Sequence, residues 1–159
     1  DRVVSVDEQA LALAVVRLME LEKSVVEGAG AAPLAALLPN TTKLKHLAGK
    51  NVVLCLCGGN IDLTILHRLI ETGLVADGRL VAFTATISDR PGGLAQLAKI
   101  IGECGASIQE ITHDRAFAGP DVTAVNVRAI VETRDRAHIG ELFGRLSAAG
   151  IRHARAERG

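Results

Sequence analysis

The sequence predicts an α/β segment followed by an α+β half whose elements run β-α-β-β-α-β. Three patterns carry this expectation. Beyond residue 79, two alternating apolar runs (Val81, Phe83, Ala85, Ile87, and Val125, Val127, Ala129, Val131) read as half-buried strands. Interleaved with them, Leu94, Leu97, Ala98 and Ile101, and then Ile139, Leu142, Phe143 and Leu146, form helical stripes. Earlier, residues 51–57 (NVVLCLC) are almost continuously apolar and end at Gly58-Gly59-Asn60, ahead of a helical pattern. A strand, a tight glycine turn and a helix make an α/β unit, the strand buried on both faces of a parallel sheet. The second half spans about 80 residues, and its order of elements is the ferredoxin-like arrangement. We therefore divide the chain at 1–78 and 79–159.

Each element has a local reason. Ser5 and Glu8 fit a capping box, and Leu11, Ala14, Val15, Leu18 and Met19 make one stripe of a helix reaching about Glu22. Val25-Val26-Glu27-Gly28 leads into a small-residue helix through Leu38, whose Ala and Gly content suits deep burial. Residues 40–50 are polar and read as a loop. Ile61 to Thr72 reads as a helix closed by Gly73. Strands are expected at 80–87, 107–114, 122–132 and 151–156, and helices at 92–103 and 134–148, with Gly105 and Gly150 as C-terminal stops. Ala118-Gly119-Pro120-Asp121 supplies the hairpin between the middle strands.

Composition narrows the function classes. Lys plus Arg and Asp plus Glu are 18 each, so the formal charge is zero, and no basic block offers a nucleic-acid surface. With three Phe and no Tyr or Trp, stacking of bases is also excluded. No run reaches the ~20 apolar residues of a membrane span. Three cysteines cannot all pair within the chain, so a reducing cytoplasm is expected. A chain opening at Asp1 without Met is what a piece of a longer protein would show. Cys55-x-Cys57 and five scattered histidines do not make a metal site. Cys104 reads as a small core residue.

VDEQALALAVVRLMELEKSVVEGAGAAPLAALL and VVLCLCGGNIDLTILHRLIETGLVADGRL resemble the end of the catalytic domain of threonine ammonia-lyases and related serine dehydratases, pyridoxal phosphate enzymes of fold type II. The resemblance implies that Cys57 lies against the pyridine nitrogen of the cofactor as a weakly polar partner. It also implies that Gly58, Gly59 and Asn60 shape the same wall and that Glu27 is the family's glutamate near the cofactor. Read from position alone, Glu27 is equally a carboxylate favoured by a helix N-terminus. The family's cofactor-linking lysine and its phosphate loop have no match, since Lys23, Lys43, Lys45, Lys50 and Lys99 stand in other contexts. No catalytic residue is therefore expected in this chain, and the stretch alone should not catalyse.

The turn Ser88-Asp89-Arg90-Pro91-Gly92-Gly93 joins a strand to a helix whose first amides could hold a carboxylate. Bare spacing allows an ordinary connection equally well. SDRPGGLAQLAKIIGECGASIQEITHDR resembles the ACT domain, an amino-acid-sensing module, over residues 79–159. This second resemblance implies an effector site at Asp89, Arg90, Gly92, Gly93 and Leu94, with Asp89 taking an ammonium. It implies a branched-chain amino-acid effector and a homodimer or homotetramer joined through edge strands such as residues 107–115. His113 and Asp114, at the end of that edge strand, read equally as reaching the effector site and as solvated loop residues. Two other readings stay open: a module that only dimerises, and a free-standing small-molecule-binding protein.

Overall fold

The computed structural model describes residues 3–38, 42–114 and 123–156. The chain divides into two compact units, Asp1–Asp77 and Gly78–Gly159.

In the first unit, α1 (Glu8–Arg17) begins two residues later than the Ser5 capping box predicts. Asp7 is the N-cap: its Oδ1 accepts from the Ala10 N–H at 2.7 Å, and a short carboxylate at that position outcompetes a serine one half-turn away. The helix widens into a π-turn over Leu18–Glu22 and stops at Lys23, whose φ of 55° is left-handed. The helical stretch ending near Glu22 is thus present, with altered geometry in its last turn. α2 (Gly28–Ala35) is shorter than expected. After Ala35 the chain tightens into i→i+3 bonds, Leu37 N–H to Leu34 O at 2.9 Å and Leu38 N–H to Ala35 O at 3.3 Å. Within the polar loop, Thr42–Leu47 forms 3₁₀ turns; residues 39–41 lie outside the described residues.

α3 (Leu63–Asp77) corrects two expectations. Asp62 caps it, accepting from the N–H of Thr64 at 2.8 Å and of Ile65 at 3.3 Å. Those bonds, that from Thr64 first, hold the Asp62 carboxyl below its ordinary range. The helix runs through Gly73 rather than ending there. Gly73 is buried, and a Cβ on it would lie 2.8 Å from the Ala12 carbonyl oxygen, so the glycine admits α1 and does not terminate α3. The glycine that follows the helix is Gly78, at φ 78°. Arg17 ties the ends of α1 and α3, with Nη2 2.6 Å from Asp77 Oδ1 and Nη1 3.1 Å from Glu20 Oε2. The core of this unit gathers Ala10, Ala14, Val15, Leu18, Val26, Ala31 and Ala35.

The expected parallel strand at 51–57 is not formed. The segment belongs to no ladder, and Val53 is 97% exposed. The apolar run alone predicts a strand covered on both sides, but a strand requires neighbours for its N–H and C=O groups, and among the described residues of this unit none is present.

The second unit is a four-stranded antiparallel sheet of β1 (Leu80–Ser88), β2 (Ser107–Asp114), β3 (Ala124–Glu132) and β4 (Arg152–Arg155), with α4 (Gly93–Glu103) and α5 (Arg136–Ala148). The strand order is β2-β3-β1-β4. Boundaries fall within two residues of those expected, while the turn at 118–121 lies outside the described residues. The register sets Phe83 opposite Ala129 and Ala85 opposite Val127, so the alternating apolar residues share one face. That face meets Leu97, Ile101, Ile139, Leu142 and Leu146 of the helices. Phe83 and Phe143 meet edge to face, with ring centroids 5.6 Å apart. Asp135 caps α5 through the His138 N–H at 2.8 Å. β2 carries a bulge between Ile108 and Glu110 and is one edge of the sheet; the short β4 is the other.

Candidate functional site

In each unit one glycine turn carries expected site residues. In the first, the turn at 57–60 lies on the N-terminus of α2. The Glu27 N–H donates to the Gly58 carbonyl at 2.8 Å, and the Glu27 carbonyl accepts from the Ala31 N–H at 3.0 Å. Gly58 has φ 81°, which an L-residue adopts at a cost. A Cβ on Gly58 would overlap the Glu27 carboxylate, coming within 2.7 Å of its carboxyl carbon. From the other side, a Cβ on Gly30 would overlap the Cys57 carbonyl oxygen and come within 2.8 Å of its carbon. Gly59 would carry a Cβ 3.5 Å from the Val25 carbonyl oxygen, an ordinary contact.

The fold therefore brings together Glu27, Cys57, Gly58 and Gly59. Cys57, Gly58, Gly59 and Asn60 are exposed, and Glu27 is half-buried. Glu27 occupies the N-cap position of α2 yet makes no side-chain cap bond. Gly30 is the residue that sequence reasoning missed. It stood within a run of small residues, and nothing local distinguishes it from Gly28, which has open space around its Cβ position.

In the second unit, the turn after β1 holds Asp89, Arg90, Gly92 and Gly93. The Asp89 N–H donates to Thr123 O at 2.9 Å, and the Arg90 N–H to Ser88 Oγ at 3.3 Å. Gly92, at φ 98°, is the N-cap of α4 and places no side chain over its first turn. The Gly93 N–H turns back to Arg90 O at 3.1 Å, and a Cβ on Gly93 would overlap the Ser88 carbonyl oxygen. His113, near the end of β2, brings Nε2 to 4.0 Å from Asp89 Oδ1, each side chain about one-third exposed. Leu94 is exposed beside the turn. The six expected residues thus share one end of the sheet, because β1 and β2 both run antiparallel to β3 and finish on the same side.

A third cluster escaped sequence reasoning. Cys104, His138 and Glu141 hold possible ligand atoms within 4.8 Å of one another. His138 is 2% exposed, and both of its ring nitrogens are engaged. Nδ1 accepts from the Arg134 N–H at 3.1 Å, so Nε2 carries the proton and donates to Cys104 O at 2.8 Å. Burial, with Glu141 second, raises the Cys104 thiol above its ordinary range. Glu141 is held low by the hydrogen bond from Arg145. A metal would have to displace one of the His138 bonds, so the cluster reads as a latch between α4 and α5. No helix among the described residues is long and apolar enough to cross a membrane.

No protein-family model matches the chain. It is 44% identical over 150 residues to an L-threonine ammonia-lyase of Geobacter sulfurreducens, an alignment covering 94% of this chain and 37% of that protein. An L-threonine ammonia-lyase of Thermotoga maritima is 37% identical over 150 residues, 94% of this chain and 36% of the relative. A catabolic L-threonine dehydratase of Staphylococcus aureus is 45% identical over 78 residues, 48% of this chain and 22% of the relative. Among solved structures, a prephenate dehydratase of Streptococcus mutans superposes with a TM-score of 0.42 at 14% identity, over 50% of this chain and 42% of that one. Along 94% of its length the chain is homologous to the L-threonine ammonia-lyases, of which it spans little more than a third.

Proposed function

We propose that the chain is the C-terminal region of a threonine ammonia-lyase. On this reading residues 1–78 supply one wall of a fold type II pyridoxal phosphate site. Residues 79–159 are then a ferredoxin-like ACT module that binds a branched-chain amino acid. The 44% identity over 150 residues carries the proposal. The cradle around Gly58 supports it, since a Cβ at Gly58 or Gly30 would force the turn away from α2.

Bound there, pyridoxal phosphate supplies the electron sink for loss of water across Cα–Cβ of threonine, on the way to 2-oxobutanoate and ammonia. The part of this chain is to hold and shape. Cys57 offers a weakly polar thiol to the pyridine nitrogen, and Gly58, Gly59 and Asn60 keep bulk away from the ring. The unpaired segment 51–57 joins strands from the rest of the enzyme, which would cover Val53. In the second unit, the α4 first turn takes the effector carboxylate and Asp89 its ammonium, with Arg90, Gly92, Gly93, Leu94 and His113 around them. Pairing along the β2 edge gives a homodimer or homotetramer. The Gly93 N–H, already bonded to Arg90 O, favours the competing reading of a module that only dimerises.

A chimera tests the catalytic half. This chain replaces the corresponding 150 residues of the Geobacter sulfurreducens relative, and 2-oxobutanoate formation from threonine is followed. Turnover within tenfold of the parent is expected. A chimera that folds and retains the cofactor but does not turn over would overturn the reading.

A further inference from the structure

We propose that Glu27 is a positioning residue for Cys57, a role that rests on reading the 57–60 turn as a ligand wall. A carboxylate at a helix N-cap ordinarily accepts from the second or third amide of that helix. Glu27 makes no such bond. Its carboxyl end instead occupies the space that Gly58 leaves vacant, while its main-chain N–H donates to the Gly58 carbonyl at 2.8 Å. The neighbouring peptide is gripped as well, because Gly30 lets the Cys57 carbonyl seat directly on α2.

Backbone on one side and a side chain on the other thus fix the Cys57–Gly58 peptide, although the preceding segment belongs to no sheet. Fixing that peptide fixes the main chain from which the Cys57 side chain projects. Glu27 touches no reacting atom in this scheme; it acts through the turn. The seat is one of shape, so glutamine fills it as well as glutamate, whereas aspartate, one methylene shorter, withdraws from Gly58 and alanine leaves it empty.

The test uses the full 159-residue chain without cofactor, so its outcome is separate from whether the turn binds pyridoxal phosphate. Residue-resolved amide exchange is measured by NMR, corrected for intrinsic rates, in wild type, Glu27→Gln, Glu27→Asp and Glu27→Ala. The reporter is the amide of residue 27, bonded to Gly58 O. The reference is the amide of Ala31, bonded to the residue 27 carbonyl within α2. Expected is a loss of protection of tenfold or more at residue 27 in Glu27→Ala and Glu27→Asp. Glu27→Gln should stay within threefold of wild type, and Ala31 should be unchanged throughout. If Glu27→Ala fails to fold, Glu27→Asp against Glu27→Gln decides. Unaltered protection at residue 27 overturns the proposal. So does equal loss at residues 27 and 31, which would mark a general helix-stabilising role, and so does a Glu27→Gln variant that behaves like alanine.

Discussion

Gly28 and Gly30 lie two residues apart near the start of α2, and alanine at the two positions should have opposite effects. Alanine in place of glycine favours a helix by about 1 kcal/mol. Gly28 has nothing within 4 Å of its Cβ position, so Gly28→Ala should be neutral or gain up to that amount. At Gly30 the new methyl would meet the Cys57 carbonyl carbon at 2.8 Å and Val26 Cγ1 at 2.8 Å. The Cys57 carbonyl is backbone and cannot rotate away, so the turn must move. Overpacking of this kind costs about 1–3 kcal/mol, which leaves Gly30→Ala below Gly28→Ala by roughly that margin. For a unit of this size the margin is a melting difference of roughly 4–24 °C. The chain lacks Trp and Tyr, so circular dichroism at 222 nm with scanning calorimetry is the suitable assay. A Gly30→Ala chain as stable as Gly28→Ala would show that the turn at 57–60 does not sit on α2.

Two further outcomes are expected. Phe83 is fully buried against Phe143, so Phe83→Ala should cost about 3–5 kcal/mol and Phe83→Leu far less, as read by urea unfolding; equal losses would contradict filled volume as the main contribution of this side chain. The Asp62 carboxyl is held low by its bonds to Thr64 and Ile65, so its folded pKa lies below its unfolded value of about 3.9. Its contribution is therefore present above that pH and lost as pH falls through the folded value. The stability advantage of wild type over Asp62→Ala should shrink below about pH 4, and parallel pH curves would contradict the cap.

The second unit was legible because its signals are local. Alternation over Val81–Ile87 and Val125–Val131, and stripes through Leu97–Ile101 and Ile139–Leu146, need only their own neighbours to be read. In the first unit the deciding contacts are distant in sequence. Residues 51–57 show an apolar run of strand character but not whether a partner strand stands beside it, and none does among the described residues. Gly73 and Gly78 look alike as helix stops, and only the approach of Ala12 and Val16 shows which one is a packing contact. The Ser5 capping box is the stronger pattern in the sequence, and the structure instead caps α1 with Asp7, whose Oδ1 accepts from the Ala10 N–H. His138 gave no signal because its role depends on the Cys104 carbonyl, 34 positions away. Of the expected site residues, Asp89 and His113 are brought together by the β1–β3–β2 register, which their spacing alone did not reveal.

The central claim, that this chain carries an amino-acid-sensing turn, is tested most directly by calorimetric titration of the 159-residue chain with isoleucine, valine, serine and threonine. Isoleucine or valine should bind below millimolar concentration. Asp89→Ala should weaken that binding about 10–100-fold, the worth of a hydrogen bond to a charged group. Absence of submillimolar binding by any of the four, in a chain that is folded and associated, would contradict the account and leave a module that only dimerises.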